Sequence, residues 1–221
     1  MTLAAPDFET ARTMMVDSQL RPNRVTDQRV LDAMRSLPRE RFLPPDLAHM
    51  AYVDEDVMLG GGRVLVEPMV IARLVQMANA QPGQTALVIG AGAGYGACLL
   101  AACGAAVTAV EEDPALLTRA RQTLAAFAPT ATLVEGRLAD GGPAGVHYDI
   151  VLIEGAVQSI PAALESKVKP QGGRLVTVLA PQGPGTAVIA RHSGSHLRAR
   201  PEFEANTPLL PQLRPAPAFV F

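Results

Sequence analysis

An uncharged stretch from Leu74 to Val110 constrains the fold of this chain more than any other feature of its sequence. Its length alone would allow a membrane-spanning helix. The dipeptide Pro82-Gly83 interrupts it, however, and it contains five further glycines, namely Gly90, Gly92, Gly94, Gly96 and Gly104. This punctuation predicts a helix, a turn, a buried strand, a glycine loop, a second buried helix and a second buried strand, and it argues against a membrane span.

Strands and helices alternate along the middle of the chain. Short apolar runs predict strands over 85–89, 107–110, 131–134, 149–153 and 174–179, and the segments between them predict helices over 94–103, 114–127 and 161–168. Because the strands are continuously apolar, we expect a mostly parallel sheet that is covered on both faces. After Pro181 the pattern predicts a strand over 186–190 and an edge strand over 219–221, which would close the sheet as an antiparallel hairpin.

The first part of the chain has a helical pattern. A helix that Pro22 ends is followed by a second one, which Thr26 would cap and Pro38 would end. An acidic loop around Asp54 and a run of three glycines come next, and Pro68 then begins a third helix over 68–80. The chain therefore divides into an N-terminal helical cap over 1–62 and an α/β domain over 63–221, which together form one unit.

Composition argues against several classes of function. The formal net charge is −2, the sequence pI is about 6.1 and 4% of the residues are aromatic, so we expect no nucleic-acid partner. The histidines, Cys98 and Cys103 have no metal-ligand spacing, and both cysteines are expected to be buried thiols. The start of the chain has no signal-peptide pattern, so we expect a cytoplasmic protein with no membrane partner. No feature of the sequence indicates an oligomeric state.

The glycine loop after the strand over 85–89 has the form of a nucleotide-binding turn. Glycines there let a ligand approach the backbone closely, and the helix that follows offers free N–H groups. Two glutamates follow the next strand, where a carboxylate can accept both hydroxyls of a ribose. We therefore expect an adenosine-containing ligand, bound by Gly90, Ala91, Gly92, Gly94, Glu111 and Glu112.

Two cofactors fit this pattern, NAD and S-adenosylmethionine. Three features favour S-adenosylmethionine: the glycines are spaced as GxGxG, a helical segment precedes the nucleotide-binding unit, and the sheet is predicted to end in an antiparallel hairpin. NAD is the alternative, since Gly92 to Ala97 can also be matched to a dinucleotide-binding pattern.

Besides the glycine loop and Glu111, the chain has five further segments with a distinctive sequence, at 15–21, 26–34, 38–44, 51–54 and 170–176. These segments resemble the protein-L-isoaspartate (D-aspartate) O-methyltransferase family, and the glycine loop and Glu111 also match that family's cofactor site. Methyltransferases in general do not share the segments, so the resemblance is specific. The likeness extends from about residue 12 to about residue 180.

The resemblance implies a Rossmann-like class I methyltransferase fold, S-adenosylmethionine as cofactor, and methyl esterification of isoaspartyl carboxylates in damaged proteins or peptides. It assigns the cap, residues 1–62, to the substrate side and residues 63–221 to the cofactor. Its cofactor-binding positions also include Arg137, Leu138 and Glu154. Its substrate positions are Asp54, Val64 and Leu65, and its catalytic positions are Val66 and Glu67.

The chain departs from the family pattern in three segments that contain these positions. The family's Thr-Ile-Ser-Gln-Pro is replaced by Val-Leu-Val-Glu-Pro, so Val66 stands at the active-site serine and Glu67 at the glutamine. Arg137 replaces the acid that is expected to face the adenine amino group. Glu154 begins a segment that is typically Thr-Ala-Ala.

Loss of the serine leaves three interpretations. Methyl transfer to a carboxylate depends mainly on alignment of the reactants, so the serine supplies an orienting hydrogen bond rather than a nucleophile. We therefore interpret the chain as a methyltransferase for isoaspartyl carboxylates. The alternatives are a methyltransferase with an apolar or small-molecule acceptor, on whose hydroxyl or amine Glu67 could act as a base, and a non-catalytic binding protein on the same fold.

Overall fold

A seven-stranded sheet forms the centre of the protein, and the computed structural model describes residues 7–214. The helices are α1 (Phe8–Met15), α2 (Gln28–Ser36), α3 (Pro68–Ala78), α4 (Tyr95–Ala102), α5 (Pro114–Phe127) and α6 (Ala162–Glu165). The strands are β1 (Val57–Gly60), β2 (Arg63–Leu65), β3 (Thr85–Ile89), β4 (Ala106–Glu111), β5 (Thr132–Glu135), β6 (Ile150–Val157), β7 (Arg174–Leu179), β8 (Thr186–Ser193) and β9 (His196–Glu204). α1 continues as one π-helical turn, Val16–Leu20.

The order of the strands in the sheet is β5-β4-β3-β6-β7-β8-β9, and β1 and β2 form a separate hairpin. Strands β3 to β7 pair in parallel, whereas β8 and β9 are antiparallel. The predicted α/β fold, with a mostly parallel sheet and a C-terminal antiparallel hairpin, is therefore confirmed. The strand order reverses between β3 and β6, and ligands of such sheets bind beyond the carboxyl ends of the strands at this point.

Both faces of the sheet are covered, as the apolar strands predict. Ala86 and Val88 of β3 belong to a core that the cap and α3 to α5 share, while Leu87 and Ile89 belong to a second core. The second core is covered by α6 and by the C-terminal segment around Leu210. The cap is thus joined to the sheet by buried apolar contact, and the C-terminal segment is part of the opposite layer.

Helix α5 begins as its sequence predicts, but the start of α2 requires a correction. Asp113 accepts hydrogen bonds from two backbone N–H groups in the first turn of α5, whose bounds match the prediction. Helix α2 is capped by Asp27, which accepts from the Arg29 N–H, so the prediction of Thr26 as its cap is wrong. The carboxylate of Asp27 also binds the Arg29 guanidinium, with a shortest N–O distance of 2.6 Å, which a threonine could not do.

The C-terminal part differs most from its sequence pattern. Strand β9 is an exposed edge strand paired with β8, in a segment where the sequence predicts no strand. Most of its residues are polar and it contains Pro201, so no apolar run marks it. The strand predicted over 219–221 lies outside the described residues. Helix α6 is shorter than predicted, whereas β6 extends four residues beyond its predicted end at Ile153.

Cys98 and Cys103 are free and buried, as predicted. Between residues 7 and 214, no helix is long and apolar enough to cross a membrane. Over the same residues, no group of three or more His, Cys, Asp or Glu side chains is arranged to hold a metal ion.

Asp149 connects the amino ends of β3 and β6, and its ionisation contributes to stability. Its Oδ2 accepts hydrogen bonds from the Thr85 N–H and from Lys169 Nζ, both at 2.8 Å. Partial burial alone would raise the pKa of Asp149, but these hydrogen bonds outweigh it and lower the pKa from 3.8 to about 2. Because the pKa is lower in the folded state, the stabilisation is present above the unfolded pKa and is lost as the pH falls towards the folded one.

We expect Asp149→Asn to lower the free energy of unfolding by about 1 to 2 kcal/mol at pH 7, and to have little effect near pH 2. Urea denaturation at the two pH values measures the difference. Asp46→Asn, at an exposed position in the cap, is the control and should change neither value. An equal loss for Asp149→Asn at both pH values would contradict the assignment.

Candidate functional site

The glycine loop lies directly after β3 and leads into α4. Gly90, Gly92 and Gly94 have φ angles of 71°, 57° and 91°. Side chains disfavour this left-handed conformation, so the turn itself requires glycine at these positions. Ala91 between them is fully buried. The loop therefore presents backbone without side chains at the carboxyl end of the central strand.

Glu111 ends β4 and is fully buried beside this loop. Its Oε2 accepts a hydrogen bond from the Gly92 N–H at 2.8 Å. Its Oε1 accepts from the N–H groups of Glu112 and Asp113, at 2.9 and 3.1 Å. The parallel pairing of β3 and β4 thus brings together the loop and the carboxylate that the sequence assigns to one site.

Arg63 is absent from the predicted site residues, yet its guanidinium lies at the centre of the site. Nη1 is 2.9 Å from Oε1 of Glu111 and Nη2 is 3.0 Å from Oε2, which makes a bidentate ion pair. Nη2 also donates to the Gly90 carbonyl at 2.7 Å. The side chains of the pair are 3% and 0% exposed. In the sequence, Arg63 is marked only as a single charged residue before the apolar residues of β2. Its partner Glu111 is 48 residues away along the chain.

Glu112 and the segment after β5 form one side of the site. Oε2 of Glu112 accepts a hydrogen bond from the Leu138 N–H at 2.8 Å, and the Leu138 side chain is fully buried. Arg137 is exposed and precedes the short 3₁₀ turn that contains Leu138. The structure therefore joins Glu112 and Leu138, while the place of Arg137 at an adenine stays a prediction.

Glu154 lies in β6 at a bulge in the pairing with β7, and it packs against Gly96 in the first turn of α4. Its side chain is buried, and no described residue is a hydrogen-bond partner of its Oε2. Burial raises the pKa of Glu154 to about 8, although the positive charges of Arg63 and Arg39 act in the opposite direction. At neutral pH Glu154 is therefore a mostly protonated acid beside the loop.

The predicted catalytic positions lie between β2 and α3. Val66 is 1% exposed and carries no polar group. Glu67 is half-buried, and its N–H donates to Oδ1 of Asp56 at 2.7 Å. Burial raises the pKa of Glu67 to about 7, and the negative charges of Asp54 and Asp56 add to this effect. The serine position has thus become apolar, while the neighbouring position has become an acid that titrates near neutrality.

The predicted substrate residues have unequal access to this segment. Asp54 is exposed in the loop before β1 and acts electrostatically on Glu67. Val64 and Leu65 belong to β2, which pairs with β1; Val64 is half-buried, whereas Leu65 is part of the first core. The structure therefore brings Asp54 and Glu67 together and turns Leu65 away into the interior.

Arg39 is a second buried arginine that the sequence pattern does not reveal. Its Nη2 donates to the Val66 carbonyl at 2.5 Å and its Nε to the Ala51 carbonyl at 2.7 Å. The guanidinium lies 5.0 Å from the ring centre of Tyr95, the first residue of α4. Arg39 thereby fixes the predicted catalytic segment to the cap on one side and to α4 on the other.

Two side chains of the protein, Arg63 and Leu210, lie against the first glycine of the loop. A Cβ added at Gly90 would lie 3.2 Å from Nη2 of Arg63 and 3.3 Å from the side chain of Leu210. A Cβ added at Gly155 would lie 2.7 Å from Leu210. A cavity of about 430 Å³ lies elsewhere, between the cap and α5, and none of the predicted site residues lines it.

The residues at the loop fit the adenosine part of S-adenosylmethionine in kind. Glu111 offers two carboxylate oxygens, and Gly90 leaves free the space that a Cβ would take. Arg63 and Leu210 lie against that space. An adenosine bound between Glu111 and Gly90 would therefore require both side chains to move away from the loop.

Comparison with known proteins assigns the family. The family model for protein-L-isoaspartate(D-aspartate) O-methyltransferase matches residues 11–197. A protein-L-isoaspartate O-methyltransferase of Methylorubrum extorquens is 40% identical over 189 residues, which cover 86% of this chain and 82% of that protein. A protein of the same name from Aeropyrum pernix is 32% identical over 205 residues, covering 90% and 79%.

Solved structures support the fold. A protein-L-isoaspartate O-methyltransferase structure superposes with a TM-score of 0.77 and 20% identity, covering 92% of this chain and 67% of the other. A structure from Plasmodium falciparum, described as a protein of the same kind in complex with S-adenosyl-L-homocysteine, has a TM-score of 0.74 and 14% identity, covering 94% and 100%. The chain therefore belongs to the protein-L-isoaspartate O-methyltransferase family, the S-adenosylmethionine-dependent methyltransferases that esterify isoaspartyl carboxylates.

Proposed function

We propose that this chain transfers a methyl group from S-adenosylmethionine to the carboxylate of isoaspartyl residues in damaged proteins or peptides, in the cytoplasm and without a nucleic-acid or membrane partner. One observation carries the proposal: the glycine loop and the buried carboxylate of Glu111 meet at the carboxyl ends of β3 and β4, with 2.8 Å between the Gly92 nitrogen and Oε2. The type of reaction is inferred from the family to which the chain belongs.

The proposed cofactor-binding residues divide into three groups. Glu111 would accept the ribose hydroxyls, and the loop over 90–94 would bind the rest of the adenosine through its backbone. Leu138 and Arg137, held by Glu112, would flank the adenine. Glu154 would lie beside the methionine part, next to Gly96 in the first turn of α4. When bound, S-adenosylmethionine supplies an activated methyl group.

The acceptor would bind between the two proposed parts of the chain, the cap over 1–62 and the α/β domain over 63–221. Val66 and Glu67 lie at this boundary, with Val64 beside them and Asp54 at the exposed side. A carboxylate acceptor is already ionised at neutral pH, so these residues have to exclude water and align it rather than remove a proton.

Transfer of labelled methyl from S-adenosylmethionine to an isoaspartyl peptide tests the proposal. We expect base-labile label on the isoaspartyl peptide and none on the aspartyl peptide of the same sequence, which is the control. Absence of label with a protein that binds S-adenosylhomocysteine would refute the isoaspartyl acceptor and leave the cofactor assignment intact.

A second candidate is a methyltransferase with a changed acceptor, and the pair of Val66 and Glu67 favours it. An apolar residue and an acid that titrates near pH 7 suit an apolar molecule with a hydroxyl or amine, on which Glu67 would act as general base. Such a product is an ether or a methylamine, so its label would resist base. Base-stable transfer to small molecules, together with unlabelled isoaspartyl peptide, would favour this candidate.

Titration of Glu67 predicts the pH dependence of peptide binding. Below pH 7 Glu67 is mostly neutral; above it, its charge repels the acceptor carboxylate, which is ionised throughout. We expect the KM for the isoaspartyl peptide to rise roughly five-fold between pH 6 and pH 8. The charged groups that act on Glu67 are Asp54, Glu55, Asp56 and Arg39.

Steady-state kinetics at saturating methyl donor measure this change. In Glu67→Gln the same KM should vary little with pH, because the variant lacks the carboxyl group that titrates near pH 7. A wild-type KM that is constant over this range, or an equal rise in the variant, would exclude Glu67 as the titrating group.

A further inference from the structure

The carboxylate that is proposed to hold the ribose already has a complete set of partners. Glu111 accepts two hydrogen bonds from Arg63, at 2.9 and 3.0 Å, and three from backbone N–H groups. A carboxylate has about four lone-pair sites, so no acceptor capacity is left for two ribose hydroxyls. A guanidinium is also a stronger partner for the carboxylate than two ribose hydroxyls are, because its two parallel hydrogen bonds are made by a positively charged group.

The C-terminal segment over 207–213 also lies against the glycine loop, next to Arg63. The Ala156 N–H donates to the Pro208 carbonyl at 3.1 Å, and the Leu210 N–H donates to the Ala156 carbonyl at 2.8 Å. These bonds hold the Leu210 side chain over Gly90 and Gly155. Arg63 and Leu210 therefore both contact the space beside Gly90 that a Cβ of that residue would take.

Glu154 offers the guanidinium a second partner. Its Oε2 is buried and has no partner among the described residues, and it lies beside the same loop, against Gly96. Among the charged groups that act on Glu154, Arg63 has the largest effect. A guanidinium that leaves Glu111 can thus stay buried and paired, provided that Glu154 gives up its proton.

We propose that Arg63 sets the affinity of this protein for its methyl donor. In the closed form its guanidinium occupies the ribose position on Glu111, next to Leu210. Adenosine binds only after Arg63 has moved to Glu154 and the segment over 207–213 has moved away from the loop. This inference rests on the proposed function, since it takes the adenosine site to be the one at Glu111. If the open form is a minor population, the apparent affinity is reduced by the fraction that is open.

Replacement of Arg63 by glutamine tests the competition directly. We expect isothermal titration calorimetry to show that Arg63→Gln binds S-adenosylhomocysteine at least about ten-fold more tightly than the wild type. This is the gain that corresponds to a wild type of which about one tenth or less is in the open form. Leu210→Ala should shift the affinity in the same direction. Equal or weaker binding by Arg63→Gln would overturn the proposal.

Arg174→Gln is the matched control. Arg174 is also a buried arginine, but it begins β7 at the amino end of the parallel strands, whereas the glycine loop lies at their carboxyl ends. There it donates to the Asn79 carbonyl and to Gln84 Oε1 at 2.8 and 2.9 Å. Its loss should destabilise the fold and leave the affinity for S-adenosylhomocysteine unchanged. A gain in affinity in this variant too would assign the effect to general loosening rather than to Arg63.

Glu154→Gln separates its role as the second partner of Arg63 from direct contact with the ligand. If Arg63 needs Glu154 in the open form, Glu154→Gln weakens binding in the wild type but has little effect in the Arg63→Gln background. An equal loss of affinity in both backgrounds would mean that Glu154 touches the ligand, and would remove it from the proposed exchange.

Hydrogen exchange of the unaltered protein provides a test that needs no variant. Saturation with S-adenosylhomocysteine should accelerate exchange at the Leu210 and Ala156 amides, because their hydrogen bonds to the carbonyls of Ala156 and Pro208, respectively, break when the segment lifts. Unchanged or slower exchange at both amides would overturn the proposal. Binding with equal affinity in all variants refutes this inference alone, whereas no binding by any of them refutes the proposed cofactor site as well.

Discussion

Replacement of Glu111 by glutamine is expected to lower the free energy of unfolding by about 3 to 5 kcal/mol, since it leaves the buried positive charge of Arg63 without its partner while Glu154 is mostly protonated at pH 7. Arg63 is 3% exposed, and apart from Glu111 its only hydrogen-bond acceptor among the described residues is the Gly90 carbonyl. The glutamine keeps the size of the side chain, so the loss reports the charge rather than a cavity. Urea denaturation at pH 7 measures it.

The double variant Arg63→Gln with Glu111→Gln should recover a large part of this loss, because neither charge is then buried. Arg121→Gln breaks an ion pair with Glu135 whose side chains are 58% and 66% exposed, and it should have little effect. A loss as small as that of Arg121→Gln would mean that water reaches Arg63. Arg63→Gln alone should be milder than Glu111→Gln, because Glu111 retains three backbone donors.

Restoring the family's Ser-Gln pair at Val66 and Glu67 is expected to raise kcat/KM for the isoaspartyl peptide by on the order of 10²-fold, the scale of rate lost when a reactant is misaligned. Serine is smaller than valine, so it fits the buried position, and it returns the hydroxyl that orients the acceptor carboxylate. Glutamine removes the charge that repels that carboxylate above pH 7.

The single and double variants separate these two contributions. Val66→Ser should act mainly on kcat through alignment, and Glu67→Gln mainly on KM through charge. Val66→Ala is the control, because it opens the same space without a hydroxyl and should bring no gain. A double variant with unchanged or lower kcat/KM would show that the acceptor does not meet these side chains.

Local signals predicted the central part of the fold well. Strands β3 and β7 and helix α5 have the predicted bounds, because each is an apolar or amphipathic run with a sharp limit in glycine, proline or a capping aspartate. Strand β9 carries no such signal. It is an edge strand with one side in solvent, so its stability comes from its ladder with β8 rather than from apolar residues.

The contacts of the site also fall into those that local sequence patterns predict and those that they do not. The meeting of the glycine loop with Glu111 follows from the spacing of the loop and the next strand end, which parallel pairing turns into a short distance. The ion pair of Arg63 with Glu111 and the position of Leu210 do not follow from any local pattern. They depend on how the β1–β2 hairpin and the C-terminal segment cross the sheet, and each contact joins residues that are far apart in sequence.

The order of the strands also determines how the chain can fold. β3, β4 and β5 pair with near neighbours in sequence, whereas β3 meets β6 only across a long separation, as in the contact between Thr85 and Asp149, 64 residues apart. Closing so long a loop costs entropy before the strand contacts can repay it. We therefore expect the unit from β3 to β5 to form early in refolding, and β6 to join it in the slow step. During that interval the apolar edge of β3 is unpaired, so the yield of refolding should fall steeply as the protein concentration rises.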